Sequence, residues 1–184
     1  MAQTWRVTRT THKKPRPALD EEGLERLALF YAGRYATTRA KLRAYLSRKI
    51  AERGWSGAPG DAVDRLVERF AALGYVDDRA FASARAASLM RRGYGARRVG
   101  EALRAAGIEA ADAEPVREEA RDGGWAAALR FAEKRRIGPY AAEAPDREGR
   151  QKAMAAMLRA GHDMDHVRRI LNALPGEIPD LDDC

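Results

Sequence analysis

The sequence Arg159-Ala160-Gly161-His162 has two counterparts earlier in the chain, Glu52-Arg53-Gly54-Trp55 and Ala105-Ala106-Gly107-Ile108. The three glycines lie 53 and then 54 residues apart, and each follows apolar residues spaced as on one face of a helix. A glycine just beyond a helix can adopt the left-handed conformation that ends it. The fixed period therefore predicts tandem repetition of one small helical unit. Arrays of such units usually form an extended surface that binds a partner.

The composition favours helix throughout, because Ala, Arg, Leu and Glu dominate and aromatic residues make up only 7% of the 184 residues. Three units of about fifty residues are each too small to be very stable alone, so we expect them to stack. The net charge of +7 indicates an acidic partner, either nucleic acid or an acidic protein surface. The alternative is a soluble protein whose helices have arginine-rich outer faces.

The single cysteine, Cys184, excludes a disulfide within the chain and a site built from several thiolates, as expected in a reducing cytosol. We find no apolar stretch long enough to span a membrane. The basic segment from Met1 to Pro17 lacks the apolar core of a secretory signal. These features predict a cytoplasmic protein without membrane contact.

The pattern divides the chain into five segments. We expect a disordered basic arm at 1–18, three helical repeats at 19–74, 75–122 and 123–174, and an acidic tail at 175–184. Each repeat contains three apolar stripes of helical period, so nine helices are expected. The predicted fold class is all-α: three tandem three-helix repeats that form an elongated, curved helical array.

Helix starts are predicted by small polar residues in front of the apolar stripes. Thr37 or Thr38 is expected to cap the second helix, and Asp77 the fourth. Val76 and Phe81 flank Asp77 with the spacing of a hydrophobic staple, so we expect them to pack on each other.

No catalytic, cofactor-binding or metal-binding motif is visible. The sequence has no Walker loop, dinucleotide fingerprint, zinc-protease helix or nucleophile elbow. His162 and His166 are four residues apart, but no third ligand is near in sequence. Glu118 and Glu119 are adjacent and point to different sides of a helix. The sequence therefore predicts a protein that is not an enzyme and needs no cofactor or metal.

The remaining signal is a concentration of arginine in the first two repeats. Arg97 and Arg98 begin a helix, where positive charge opposes the helix dipole, and this placement suggests a role in binding. Tyr94 lies between two arginine pairs as a candidate stacking residue. The candidate partner-binding or DNA-binding residues are Arg39, Arg43, Arg85, Arg91, Arg92, Tyr94, Arg97, Arg98 and Arg104.

Two stretches of the middle repeat resemble the RecX family of recombination regulators. They are Gly74-Tyr75-Val76-Asp77-Asp78 followed by Phe81-Ala82, and Arg91-Arg92-Gly93-Tyr94-Gly95-Ala96-Arg97-Arg98-Val99 followed by Glu101, Leu103 and Gly107-Ile108. The likeness extends over roughly Leu19 to Leu174 and includes Thr38-Arg39-Ala40-Lys41-Leu42. The chain departs from the family pattern at Lys41, which replaces an acidic residue, at Ala96, where proline is common, and at Pro115, which is expected to interrupt the sixth helix.

The resemblance implies a non-enzymatic modulator of the RecA recombinase. Such proteins bind in the groove of the RecA filament on single-stranded DNA, suppress its ATPase and strand exchange, and promote its disassembly, which negatively regulates recombination and DNA repair in the SOS response. The implied partners are the RecA nucleoprotein filament and DNA bound without sequence preference. Single-stranded DNA is expected, double-stranded DNA is left open, and the chain is expected to be a monomer.

The alternative is a sequence-specific DNA-binding protein in which the helix after Tyr94 enters a major groove. No dimerisation element that would pair two half-sites is evident in the sequence. Binding that ignores sequence and weakens steeply with salt distinguishes the filament regulator from this alternative.

Overall fold

The computed structural model describes residues 17–180. Within that range the chain is all-α and contains nine α-helices, one 3-10 turn at Gly138–Tyr140 and a single isolated bridge between Leu19 and Trp55. The helices are α1 (Glu21–Arg34), α2 (Arg39–Arg53), α3 (Ala62–Ala72), α4 (Asp78–Arg91), α5 (Ala96–Ala105), α6 (Ala110–Asp122), α7 (Gly124–Arg135), α8 (Arg147–Arg159) and α9 (Met164–Asn172).

The helices form three consecutive three-helix units, α1–α3, α4–α6 and α7–α9, each with its own apolar core. Leu42, Leu46 and Phe70 are central in the first core, Val99 and Leu103 in the second. The third core is built around residues such as Met157, Val167 and Ile170. Burial among residues 17–180 is therefore divided among three small cores, as in a helical repeat array, instead of one large interior.

Five of the nine helices within residues 17–180 begin at a residue whose side chain caps the helix. The carboxylate of Asp77 accepts a hydrogen bond from the backbone N–H of Ala80 at 2.9 Å. Of the two threonines considered for α2, Thr38 is the cap: its hydroxyl accepts from the N–H of Lys41 at 3.1 Å. Asp163 similarly caps α9 by accepting from the N–H of Asp165.

One contact between middle helices is repeated at both junctions between units. The first turn of α2 packs on the end of α5, where the Thr38 hydroxyl donates to the Ala106 carbonyl at 2.7 Å. The first turn of α5 packs on the end of α8 in the same way, with the N–H of Gly95 donating to the Ala160 carbonyl at 3.0 Å and the N–H of Arg97 to that of Gly161 at 3.2 Å. Each junction therefore satisfies acceptors at a helix end, with a side-chain hydroxyl at the start of α2 and with backbone N–H groups at the start of α5.

The glycines of the sequence repeat lie at these junctions. Gly107 and Gly161 have positive φ angles of 72° and 89°, as expected for glycines that end a helix. In addition, Gly107 packs against Ala40, and a methyl group at Gly161 would lie 2.5 Å from the backbone nitrogen of Arg98. At Gly54 the partner is the segment before α1: the N–H of Leu19 donates to the glycine carbonyl at 3.0 Å.

Two local expectations were wrong. Val76 belongs to the first core, whereas Phe81 packs against the second core, so these residues contribute to different clusters instead of stapling one helix start. Pro115 does not interrupt α6, which runs continuously from Ala110 to Asp122. An interior proline costs about 3 kcal/mol, and burial of Val116 and Ala120 beside it in the second core offsets that cost.

The predicted arm at 1–18 lies almost entirely outside the described residues, as does the end of the predicted acidic tail. The described beginning of the tail packs back on the third unit: the N–H of Gly176 donates to the Pro139 carbonyl at 2.8 Å, and Arg169 donates to the Asp180 carbonyl at 3.0 Å. None of the helices between residues 17 and 180 is long and apolar enough to span a membrane.

Candidate nucleic-acid and filament interface

A basic groove of about 670 Å³ runs between α2 of the first unit and α4 and α5 of the second. We call it the inter-unit groove. Its lining includes four cations and one carboxylate, together with two aromatic rings. These residues are Lys41, Phe81, Arg85, Arg92, Tyr94, Arg98 and Glu101. The groove exists because the first two units meet at the end of α5, which leaves the outer face of α4 open beside α2.

Arg85 on α4 and Arg92, the residue that follows α4, lie on the same side because they are seven residues, or about two helical turns, apart. Lys41 reaches the same space from α2, and its ammonium lies 4.3 Å from the centre of the Phe81 ring. The half-buried Phe81 is therefore a wall of the groove as well as part of the second core's edge. Its ring face stabilises the ammonium by a cation–π contact.

Tyr94 follows a tightly packed turn. Gly93 has a φ angle of 82°, and a methyl group there would lie 3.0 Å from the backbone nitrogen of Phe131 in the third unit. The turn is thus packed between α4 and α7. The Arg92 guanidinium lies 5.5 Å from the centre of the Tyr94 ring, which places a cation and a half-buried aromatic side by side at the groove.

The groove keeps most of its positive charge. Arg98 hydrogen-bonds to the Glu101 carboxylate at 3.2 Å. Among residues 17–180, Lys41, Arg85 and Arg92 have no carboxylate within 4 Å. Charges that are not neutralised inside the protein remain available to a negatively charged partner.

The other candidate residues lie outside the groove. Arg97 faces the third unit, where its guanidinium donates to the Leu158 carbonyl and pairs with Glu101 at 2.5 Å. Arg39 and Arg43 turn towards α3, and both pair with Glu68, at 3.9 and 3.7 Å. Arg43 also pairs with Asp64 at 2.5 Å. Arg91 and Arg104 are exposed on the second unit and do not line the groove.

The histidines form no metal site: the described residues contain no group of three side chains that could hold a metal ion. His162 is only 5% exposed and lies against the Phe131 ring, with 5.2 Å between ring centres. Burial lowers the pKa of His162 to about 4, and this effect outweighs the nearby Gly93 backbone, which raises it. His166 packs against Trp125 instead. Both imidazoles therefore belong to the packing between helices.

The chain is 32% identical to the regulatory protein RecX of Myxococcus xanthus (strain DK1622) over 177 residues, which cover 89% of this chain and 91% of that protein. It belongs to the RecX family. The family model for the second three-helix domain of RecX matches residues 77–115, the segment that contains Arg85, Arg92, Tyr94 and Arg98. Over 69 residues the chain is also 38% identical to the regulatory protein RecX of Mycobacterium ulcerans (strain Agy99), covering 38% of each chain.

The crystal structure of RecX from Lactobacillus salivarius has the same fold. It superimposes with a TM-score of 0.60 and 18% sequence identity, and the match covers 82% of this chain and 94% of that one. At this level of identity the comparison establishes the helical-repeat architecture that RecX proteins share.

Sequence reasoning missed Lys41 and Phe81 as groove residues in this RecX-family chain. Lys41 stood out in the sequence as a basic residue where the family pattern has an acidic one, and that departure was the available signal. No signal distinguished Phe81, because an aromatic residue in an apolar stripe predicts a core position. Its place at the groove depends on how the first unit packs on the second.

Proposed function

We propose that this RecX-family protein is a non-enzymatic regulator that binds RecA–DNA filaments in their groove. By binding there it inhibits RecA's ATPase and strand exchange, and so negatively regulates recombination and DNA repair. Its partners are the RecA nucleoprotein filament and single-stranded DNA contacted without sequence preference. The protein acts as a monomer in the cytoplasm and uses no cofactor.

The observation that carries this proposal is the inter-unit groove. Lys41, Arg85 and Arg92 come from two different units and leave their charges unpaired within the described chain, next to the Tyr94 ring. Unpaired cations recognise the phosphate backbone, and an aromatic ring offers a sequence-tolerant stacking surface. A site of this kind is suited to binding a polyanion.

Regulation by binding alone requires only that one filament state is bound more tightly than another. An elongated array of three units presents several contact points along one direction, as a filament groove does. A regulator that occupies the groove of the ATP-bound RecA filament hinders the RecA subunits from changing state. It thereby lowers the rate of ATP hydrolysis without taking part in the chemistry.

The alternative of a sequence-reading recognition helix is disfavoured by the packing of α5. Its first turn lies against the end of α8, with Gly95 and Arg97 bonded to carbonyls there. A recognition helix contacts base edges through its N-terminal residues, so those residues need to be free. We therefore favour contacts to the nucleic-acid backbone.

The test adds the purified protein to RecA filaments preformed on single-stranded DNA and follows ATP hydrolysis. We expect hydrolysis to slow in proportion to filament occupancy. In parallel, direct DNA binding should be equal for oligonucleotides of unrelated sequence and should weaken steeply with salt. Hydrolysis that stays constant at saturating protein would contradict the regulatory proposal, and a strong preference for one sequence would favour the recognition-helix alternative.

A further inference from the structure

A second group of cations lies on α7, outside the inter-unit groove and outside the residues singled out by sequence. It consists of Arg130, Lys134 and Arg135. The Arg130 guanidinium donates to the Met90 carbonyl at the end of α4, at 3.4 Å. This contact brings Arg130 next to Arg91 and Arg92 at the end of α4.

The local geometry places these side chains on the same side of the junction. Arg130 and Lys134 are four residues apart and therefore neighbours on one helix face. The Arg135 guanidinium lies 5.7 Å from the centre of the Phe131 ring, and the Phe131 backbone is the surface on which the Gly93 turn rests. The α7 cations thus adjoin the turn that holds Tyr94.

No carboxylate of the described residues neutralises these cations. Within residues 17–180, no carboxylate lies within 4 Å of Arg91, Arg92, Arg130, Lys134 or Arg135. The nearest acid in sequence, Glu133, forms no ion pair with these cations within the described residues, and its charge acts on Tyr140, whose pKa is raised by burial and then by Glu133. Some exposed cations elsewhere are paired one turn away along a helix, such as Arg26 with Glu22 and Lys152 with Glu148.

The helix dipole explains only part of this arrangement. Lys134 and Arg135 lie in the last turn of α7, and Arg91 in the last turn of α4, where positive charge is favourable. Arg130 lies a turn before the end of α7, and it contacts the end of α4 at Met90. The cations of the two helices lie close together beside an aromatic residue. They therefore repel one another, and the favourable interaction with each helix dipole does not require this crowding. The mutual repulsion is relieved when an anion binds.

We propose that the α7 cations extend the inter-unit groove into a single phosphate-binding path for a nucleic-acid strand. The path starts at Lys41 and Arg85, passes Arg92 and Tyr94, and continues over Lys134 and Arg135 onto the third unit. This proposal rests on the proposed function, because it requires that the inter-unit groove binds DNA. Cations in succession beside a half-buried aromatic ring fit a sugar–phosphate backbone better than one compact acidic protein patch.

The test compares Lys134→Ala/Arg135→Ala with the control Arg26→Ala/Arg65→Ala. Arg130 is left in place because it contacts Met90. The control removes the same charge from exposed arginines that pair with Glu22 and Asp61. Binding of each variant to oligothymidylates is measured by fluorescence anisotropy across a salt series, with a short strand of about 6 nucleotides and a long strand of about 20.

We expect the α7 variant to bind the long strand several-fold more weakly, with a salt slope smaller by roughly one to one and a half units for two lost contacts. Its binding to the short strand, which the groove alone accommodates, should match the wild type. The control should keep the wild-type slope with both strands. Circular dichroism establishes that the variants are equally folded.

Three results would overturn the path. The first is unchanged binding of the long strand, and the second is an equal loss in the control, which would mean that net charge alone matters. The third comes from repeating the RecA hydrolysis experiment with the α7 variant: weaker inhibition together with unchanged oligonucleotide binding would assign α7 to a protein contact. Because the anisotropy assay contains no RecA, failure of the regulatory proposal in the hydrolysis experiment is detected separately.

Discussion

Arg97 and Arg98 are neighbours in the first turn of α5, yet they contact different parts of the molecule. The Arg97 guanidinium is used inside the protein, because it donates to the Leu158 carbonyl at the end of α8. Arg98 lines the inter-unit groove and shares Glu101 with Arg97. The sequence identified both as residues placed against the helix dipole. It could not separate them, since the position of α8 depends on contacts between distant parts of the chain.

The two arginines should therefore respond differently to replacement. We expect Arg97→Ala to lower the free energy of unfolding by about 1–2 kcal/mol, because the Leu158 carbonyl loses a charged donor, and to change DNA binding little. Arg98→Ala should leave stability within about 0.5 kcal/mol and weaken DNA binding. Thermal unfolding and anisotropy measured on both variants check the assignment. The reverse pattern would mean that Arg97 is the binding residue.

His162 is the residue whose protonation depends most on the fold. It is buried against Phe131, and neither ring nitrogen has a hydrogen-bond partner of normal geometry within the described residues. Its pKa is lowered from 6.5 to about 4, mainly by burial. Between these values the unfolded chain takes up a proton that the folded chain does not, so stability decreases as the pH falls.

We expect the melting temperature of the wild type to fall between about pH 7.5 and pH 5 by more than that of His162→Leu. The loss should level off below the folded pKa of about 4. Circular dichroism melts at several pH values measure the difference. Parallel curves for the two proteins would show that other groups, such as His166 or the carboxylates, cause the pH dependence.

At the scale of helices, the parts of the fold set by neighbouring residues were predictable. The Asp77 and Asp163 caps and the apolar stripes are local, because an N-cap contacts residues two or three positions ahead. The Val76–Phe81 staple was wrong for the opposite reason. Val76 is covered by the first unit, and no local spacing reveals which core an apolar residue enters when two cores are available.

The glycines show the same limit of prediction from sequence. Their role in ending helices could be predicted, but their role in the packing of one unit on the next could not. Gly161 and Gly74 both have positive φ, 89° and 75°. A methyl group at Gly161 meets the Arg98 backbone, whereas one at Gly74 meets no atom within 4 Å.

The pair of substitutions Gly161→Ala and Gly74→Ala measures the docking contribution. Gly74→Ala should cost only the conformational penalty of about 1–2 kcal/mol. Gly161→Ala should cost a further 1–3 kcal/mol, roughly, because the second and third units have to move apart. Chemical denaturation gives both values. Equal costs would contradict the view that the helix end at Gly161 is a junction between units.

At the scale of the whole molecule, the glycine period predicted the array of three-helix units. The sequence predicted only some of the residues of the inter-unit groove. Arg85, Arg92, Tyr94 and Arg98 were identified as candidates, and the structure brings them into one space. Lys41 was not among them, because its contribution depends on how α2 approaches Phe81.

The central claim is that the inter-unit groove is what engages the RecA filament. Its most direct test is RecA ATP hydrolysis with Lys41→Ala/Arg85→Ala, alongside Arg26→Ala/Arg65→Ala as a control of equal charge. We predict that the groove variant needs about tenfold more protein for half-inhibition, as expected for losing about 1.4 kcal/mol of binding energy. The control should inhibit like the wild type. Wild-type inhibition by the groove variant, or an equal loss in the control, would contradict the claim.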